Sequence, residues 1–187
     1  MCTGNICRSP LAQGFLEERS RRLLGGALHV RSAGTWARPG YGATDEAVAV
    51  AAERSIDIAE HRTTSFTAEL ADWADLVVTM TAEQRDEVAE AAPSTTPKTF
   101  TLKELVPILA ALPPVEAPPS RDSLLARIAE ADRLRREGTA PRPADEDVAD
   151  PLGLGMEAYR AAAWEIEELI DATVRGLAGQ PVAAEEA

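Results

Sequence analysis

Nine residues near the start of the chain, Cys2-Thr3-Gly4-Asn5-Ile6-Cys7-Arg8-Ser9-Pro10, leave little freedom in how the polypeptide can run. Gly4 and Asn5 are residue types that tolerate left-handed backbone angles, so the segment can curl tightly. Ser9 can cap a helix and Pro10 suits a first helical position, so the curl should feed straight into a helix. Consecutive backbone N–H groups wound into a nest at a helix N-terminus bind a tetrahedral oxyanion. In such a loop the positive helix end favours the thiolate of Cys2, making it a nucleophile. Arg8, separated from Cys2 by five residues, closes the ring and can hold two oxygens of the anion. Cys-x5-Arg alone would equally describe a loop with an incidental thiol. Here every position has a task in one loop.

Further along, Leu11, Phe15, Leu16 and Leu23 give the first helix an apolar face, and Gly25-Gly26 should stop it. Leu28 to Ser32 alternates like a strand. Helices are predicted over 44–54, 67–72, 83–91 and 103–110. Leu76-Val77-Val78 reads as a buried parallel strand and Thr99 to Leu102 as another short one. Strands alternating with helices argue for an α/β architecture with a parallel sheet. From Pro113 to Asp147 prolines surround a charged helical stretch from Arg121 to Glu137, which predicts a surface insertion with its own helix. The arginines of that helix (Arg127, Arg133, Arg135 and Arg136) read as a solvated charged face. Met156, Tyr159, Ala163, Ile166 and Ile170 step by three and four, predicting an amphipathic closing helix. Residues 1–178 read as one domain with an insertion at about 113–147, and 179–187 as a flexible tail.

At 187 residues the chain is of single-domain length and can bury roughly 70% of its unfolded surface without disulfides or metal. Two cysteines exclude a secreted disulfide scaffold. No apolar run approaches the roughly 18 residues of a membrane span, and no basic-then-apolar signal opens the chain, so a cytoplasmic protein is expected. A net charge of −12 disfavours nucleic acid and anionic membranes as partners. His29 and His61 stand without a ligand cluster, so no metal is expected, and His61 reads as a structural hydrogen-bonding residue. Gly153-Leu154-Gly155 follows no strand and is read as a helix start, not a dinucleotide site.

The string from Cys2 to Pro10 resembles the signature loop of the low-molecular-weight protein tyrosine phosphatases. The resemblance continues through Ser32-Ala33-Gly34-Thr35, His61, Ala74 to Met80, and Asp150-Pro151, and so covers most of the chain outside the insertion and tail. It implies an α/β three-layer sandwich, with helices on both faces of a four-stranded parallel sheet. It also implies a cysteine-dependent phosphomonoester hydrolase acting on protein phosphotyrosine or another aryl phosphate. Carried onto this chain, Cys2 attacks phosphorus and forms a cysteinyl-phosphate. Arg8 and the amides of Thr3, Gly4, Asn5, Ile6 and Cys7 hold the oxygens, while Ser9 hydrogen-bonds the thiolate. Asp150 protonates the leaving oxygen and then activates water, with Asp147 and Asp145 as fallback acids. Asp150 would also cap the following helix, with Pro151 at its first position. No metal or organic cofactor is implied. Trp36 lies where the family has a loop beside the active site, and Cys7 where a cysteine can pair reversibly with the nucleophile.

Two departures shape the expectations. The family's first, central strand precedes its cysteine, whereas here Cys2 is the second residue. That strand is therefore expected to be truncated, with an apolar slot left in the core, and a start assigned too late is the simplest explanation. Leu152-Gly153 follows Asp150-Pro151 where the family often has aromatics. A phosphoarginine-hydrolysing branch commonly has Thr at the position of Ile6, so Ile6 points toward aryl phosphate. The competing functions are an arsenate reductase drawing on an external thiol, and an inactive anion-binding pseudophosphatase or truncated product.

Overall fold

Two short strands and seven helices carry the chain in a computed structural model that describes residues 1–26 and 28–182. The order is α1 (Arg8–Leu24), α2 (Asp45–Ala52), α3 (Ala68–Trp73), β1 (Val77–Thr79), α4 (Ala82–Ala91), a 3-10 turn (Pro93–Lys98), β2 (Thr99–Thr101), α5 (Leu102–Ala111), α6 (Arg121–Arg136) and α7 (Met156–Leu177). Several helices begin where a threonine accepts a backbone N–H: Thr44 from Ala47, Thr81 from Gln84, and Thr101 from Glu104. α1 ends on Gly25, whose φ of 61° is the left-handed conformation that glycine adopts without strain.

β1 and β2 pair in parallel, Val77 opposite Thr99 and Thr79 opposite Thr101. Val77 packs with Ala71, Val88 and Ala92 of the α3/α4 side. Met80, just beyond β1, joins Leu11, Phe15, Tyr159 and Ile166 of α1 and α7. The strands are thus buried between two helical layers, which is the α/β arrangement the alternation predicts.

Four strands were expected, and the described residues form one pair with isolated bridges beside it. Cys2 bridges Gly34 in parallel, and Gly34 bridges Ser65. Leu28 to Ser32, predicted as a strand, makes no ladder. Met1 and Cys2 lie between this segment and β1. Met1 donates its backbone nitrogen to Val78 O and accepts from Met80 N, while Cys2 donates to Ala33 O and accepts from Thr35 N. Behind these two residues lies an apolar slot of about 450 Å³, lined by Leu16, Val30, Phe66, Val78 and Ile170 among others.

The stretch from Pro113 to Asp147 contains its predicted helix; its flanks are exposed, while one face of the helix packs into the core. Leu124, Ile128 and Ala131 pack with Phe100, Leu105, Ile108 and Leu109. Arg127, expected on a solvated face, is buried and donates to the carbonyls of Leu109, Pro113 and Gly176. It thereby occupies acceptors at the C-terminal ends of α5 and α7, which those helices cannot satisfy themselves. Arg135 stacks on Phe100 at 4.1 Å and donates to Thr99 O. Arg133 and Arg136 do lie at the surface, paired with neighbouring acids. Gly179, at the start of the expected tail, is buried and its carbonyl accepts Val115 N. Residues 183–187 of that tail lie outside the described residues. Among the described residues, no helix is long and apolar enough to cross a membrane.

Candidate active site

Four carbonyls of the loop from Cys2 to Cys7 are held by partners outside it. Thr35 N donates to Cys2 O, Trp36 N to Thr3 O, His61 Nε2 to Asn5 O (2.8 Å) and Thr44 N to Ile6 O (2.9 Å). Among the described residues, none of the N–H groups of Thr3 to Arg8 donates to another loop or turn carbonyl. Uncommitted N–H groups at the N-terminus of a 17-residue helix are what an anion nest is made of. Gly34 lets the surrounding chain come this close: a Cβ there would overlap Thr3 O and press on Asn5 N.

Asn5 organises the interior. Its φ of 55° is left-handed, as its residue type allows. The buried side chain accepts from Thr64 N (2.8 Å) and donates to Ser9 Oγ (2.8 Å) and Ser32 Oγ (2.9 Å). Ser9 was expected to cap α1. Cys7 takes that position, with no side-chain cap, and α1 starts at Arg8. The hydroxyl of Ser9 is used otherwise. It lies 3.0 Å from Cys2 Sγ, and because it accepts from Asn5 its one proton is free to point at the sulfur. A thiolate at Cys2 would so receive one side-chain hydrogen bond and the field of the helix terminus.

Arg8 is buried. It donates to Val148 O (2.9 Å) and to Asp150 Oδ2 (2.6 Å), and its Nε is left without a partner. Val148 is itself anchored to the sheet through Met80 O, so the segment carrying Asp150 is tied both to β1 and to the arginine. Asp150 is half-exposed and opens a turn, accepting Leu152 N (3.1 Å). It does not cap a helix: Gly153 takes a φ of 79° and α7 begins at Met156 behind Gly155. The fallback acids have other partners. Asp147 accepts Ala82 N at the start of α4, and Asp145 pairs with Lys103.

Cys7 is buried on the far side of the loop, 3.4 Å from Tyr159 Oη and 3.8 Å from Thr44 Oγ1. Burial pushes its thiol up, and pushes the Tyr159 phenol up to about 12, so both stay protonated at neutral pH. Both cysteines are free.

A family model described as "Low molecular weight phosphotyrosine protein phosphatase" matches residues 1–118. The chain belongs to that family. A protein-arginine-phosphatase of Geobacillus stearothermophilus is 36% identical over 171 residues, 91% of this chain and 88% of the relative. A probable low molecular weight protein-tyrosine-phosphatase EpsP of Ralstonia solanacearum is 44% identical over 105 residues, 56% of this chain and 69% of the relative. Among solved structures, the YwlE arginine phosphatase from Geobacillus stearothermophilus superposes with a TM-score of 0.68 at 35% identity, covering 93% of this chain and 87% of that one. A low molecular weight protein tyrosine phosphatase from T. tengcongensis gives 0.70 at 32% identity, covering 93% and 94%. The chain is accordingly an enzyme of the phosphatase class, a hydrolase.

Within this low molecular weight phosphatase, the candidate residues converge. Cys2, Thr3, Gly4, Asn5, Ile6, Cys7, Arg8 and Ser9 form one loop, with Asp150 in contact through Arg8. Trp36 stands on the rim, its backbone bonded to Thr3 O and its exposed indole to Glu87. Two supports escaped the sequence reading. Gln84 of α4 donates to Thr3 Oγ1 (3.1 Å) while accepting Met80 N, and Ser32 links Asn5 to Gln13. No local signal marks Gln84; only the tertiary fold brings it to the loop.

Proposed function

We propose that this phosphatase hydrolyses phosphomonoesters through a cysteinyl-phosphate, acting on protein phosphotyrosine or another aryl phosphate. The observation that carries the reading is Cys2 Sγ at hydrogen-bond distance from Ser9, at the base of a loop in which the carbonyls of Cys2, Thr3, Asn5 and Ile6 are tied to outside partners. Cys2 thiolate attacks phosphorus as the P–O bond to the leaving group breaks, and Asp150 delivers its proton to the departing oxygen. Loop amides and Arg8 hold the equatorial oxygens throughout. Asp150, now a carboxylate, takes a proton from water as that water attacks phosphorus, and the S–P bond breaks to return the thiolate and release phosphate. Asp150 and Arg8 sit 2.6 Å apart, so one arginine touches both the anion site and the acid. The four-stranded sheet belongs to the same reading, with the Met1–Cys2 stub and residues 28–33 in strand positions beside β1 and β2. Free thiols at the site suit a reducing cytoplasm.

A second reading, phosphoarginine as substrate, is favoured by one observation: the arginine phosphatase of Geobacillus stearothermophilus matches over 91% of this chain. Ile6, with its apolar side chain in the loop, supports the aryl reading. The test is turnover of p-nitrophenyl phosphate, a phosphotyrosine peptide and a phosphoarginine peptide, each with Cys2→Ala as control. Aryl turnover that vanishes in the control, with a trapped phosphocysteine in the mass spectrum, supports the mechanism. Higher kcat/KM on the phosphoarginine peptide would replace the aryl reading with the second one.

A further inference from the structure

The Asp150 carboxylate meets Arg8 and Leu152 N, and the first of these is a guanidinium that also serves the anion loop. The firmer hold lies behind the acid, in the run Asp145-Glu146-Asp147. Each member of that run has a different partner. Asp147 Oδ1 accepts Ala82 N at 2.7 Å, at the first residue of α4. Glu146 pairs with Arg85, three residues along the same helix, at 2.5 Å. Asp145 pairs with Lys103 of α5 at 3.2 Å, and Lys103 is held in turn by Glu165 of α7 at 2.7 Å. Val148 N then donates to Met80 O, so residues 145–148 are pinned to the framework just ahead of the acid.

Arg85 is the centre of this clamp. Besides Glu146 it meets Glu104 at 3.5 Å. Glu104 is buried and fixed by the capping box of α5, where it accepts Thr101 N at 3.4 Å. Arg85 thus ties a carboxylate fixed in the core to a carboxylate on the segment that carries Asp150. The Arg85 and Glu146 side chains are only 24% and 27% exposed, so the pair is better held than a fully solvated one. Its neighbour Gln84 reaches the nucleophile loop instead, donating to Thr3 Oγ1 at 3.1 Å. About one turn of α4, residues 82–85, therefore touches both the nucleophile loop and the acid segment.

We propose that this turn of α4 is the spacer of the active site, and that Arg85 is a positioning residue for the acid, acting through Glu146. The inference rests on the role given to Asp150 under the proposed function. Gln84 fixes where the nucleophile loop stands, and Arg85 with Ala82 N fixes where residues 145–148 stand. The rigid turn between them sets the reach from Cys2 to Asp150. The need is greatest with an anion bound, because Arg8 then shares its donors between Asp150 and the phosphate oxygens. Arg85 supplies no proton. Loosened, it lets the acid drift, and a misplacement of about 1 Å is enough for a measurable loss.

The test compares an alkyl phosphate with p-nitrophenyl phosphate in the full chain and in Arg85→Ala, Arg85→Lys, Glu146→Gln, Asp150→Asn and the double variant Arg85→Ala/Asp150→Asn. In Arg85→Ala, kcat/KM for the alkyl ester should fall about tenfold. That for p-nitrophenyl phosphate, whose leaving oxygen needs little help, should fall by no more than about threefold. Inhibition by inorganic phosphate, which reports on the anion loop, should stay within about twofold. Arg85→Lys should recover part of the loss. Glu146→Gln leaves the contact of Arg85 with Glu104 intact and should lower alkyl turnover about threefold, so the proposal stands apart from any folding defect of Arg85→Ala. On top of Asp150→Asn, Arg85→Ala should cost nothing more, because no acid is left to position. Equal losses on both esters, weakened phosphate inhibition, or a full further loss in the double variant would overturn the proposal. An Asp150→Asn variant that turns over the alkyl ester undiminished overturns the acid reading and the spacer role together. A costly Asp150→Asn beside harmless Arg85→Ala and Glu146→Gln overturns the spacer role alone.

Discussion

The anion loop and the slot meet at Met1 and Cys2, yet they are built on opposite terms. Beyond Cys2, the carbonyls of Thr3, Asn5 and Ile6 have outside partners, and the buried Asn5 side chain alone makes three hydrogen bonds. Behind Met1, two backbone edges face each other across about 450 Å³ with the buried Met1 amine between them. A loop so over-determined can hold free N–H groups pointed at one spot, because nothing else in it is free to relax. Catalytic geometry here is local to residues 2–9 and their clamps, whereas sheet continuity is not.

The largest effect expected separates chemistry from scaffolding. Asp150→Asn keeps the shape but cannot deliver a proton. Turnover of an alkyl phosphate, whose leaving oxygen needs protonation, should fall by about 10²–10⁴-fold, with a smaller loss for p-nitrophenyl phosphate. Because Asp150 is half-exposed, the melting temperature should move by no more than about 2 °C. Undiminished turnover of the alkyl ester would remove Asp150 from the mechanism.

Next comes a way to make the loop as loose as the slot. Asn5→Ala deletes three hydrogen bonds, one fully and two partly buried, and leaves a Cβ without polar compensation at φ 55°. Leaving Thr64 N and the hydroxyls short of partners should cost about 3 kcal/mol, and the left-handed backbone about 1–2 kcal/mol more. Asn5→Gly removes only the first part, so the gap between the two variants in urea unfolding isolates the strain. If neither variant shifts the unfolding midpoint, the loop is not held in the way its hydrogen bonds suggest.

The contrast also explains what the sequence could convey. The loop was legible because its residue types are each demanded by local geometry: a left-handed Asn5, a helix opening within two residues of Ser9, a thiol and an arginine with five residues between them. Capping assignments at Ser9 and Asp150 failed for one reason. Both side chains have competing partners, Cys2 for one and Arg8 for the other, that come from folding and not from the neighbouring residues. Leu28 to Ser32 has the alternation of a strand but lacks the neighbour that would make it one. Arg127 sits in a charged stretch and looked solvated. The spacing of Leu124, Ile128 and Ala131 around it was the signal that this face turns inward.

The smallest effect expected acts on the slot side alone. Burial lowers the Met1 amine to about 6, with Arg8 adding in the same sense and Cys2 opposing. In the unfolded chain the amine titrates near its ordinary value of about 8. Between those values the unfolded state binds the proton that the folded state refuses, so stability is complete above about pH 8 and declines as the pH falls to about 6. The two-unit gap corresponds to at most about 2.7 kcal/mol. Acetylating the α-amine abolishes this contribution, so the slope of urea midpoint against pH should flatten in the acetylated chain. Identical slopes in the two chains would mean that the amine reaches water when folded.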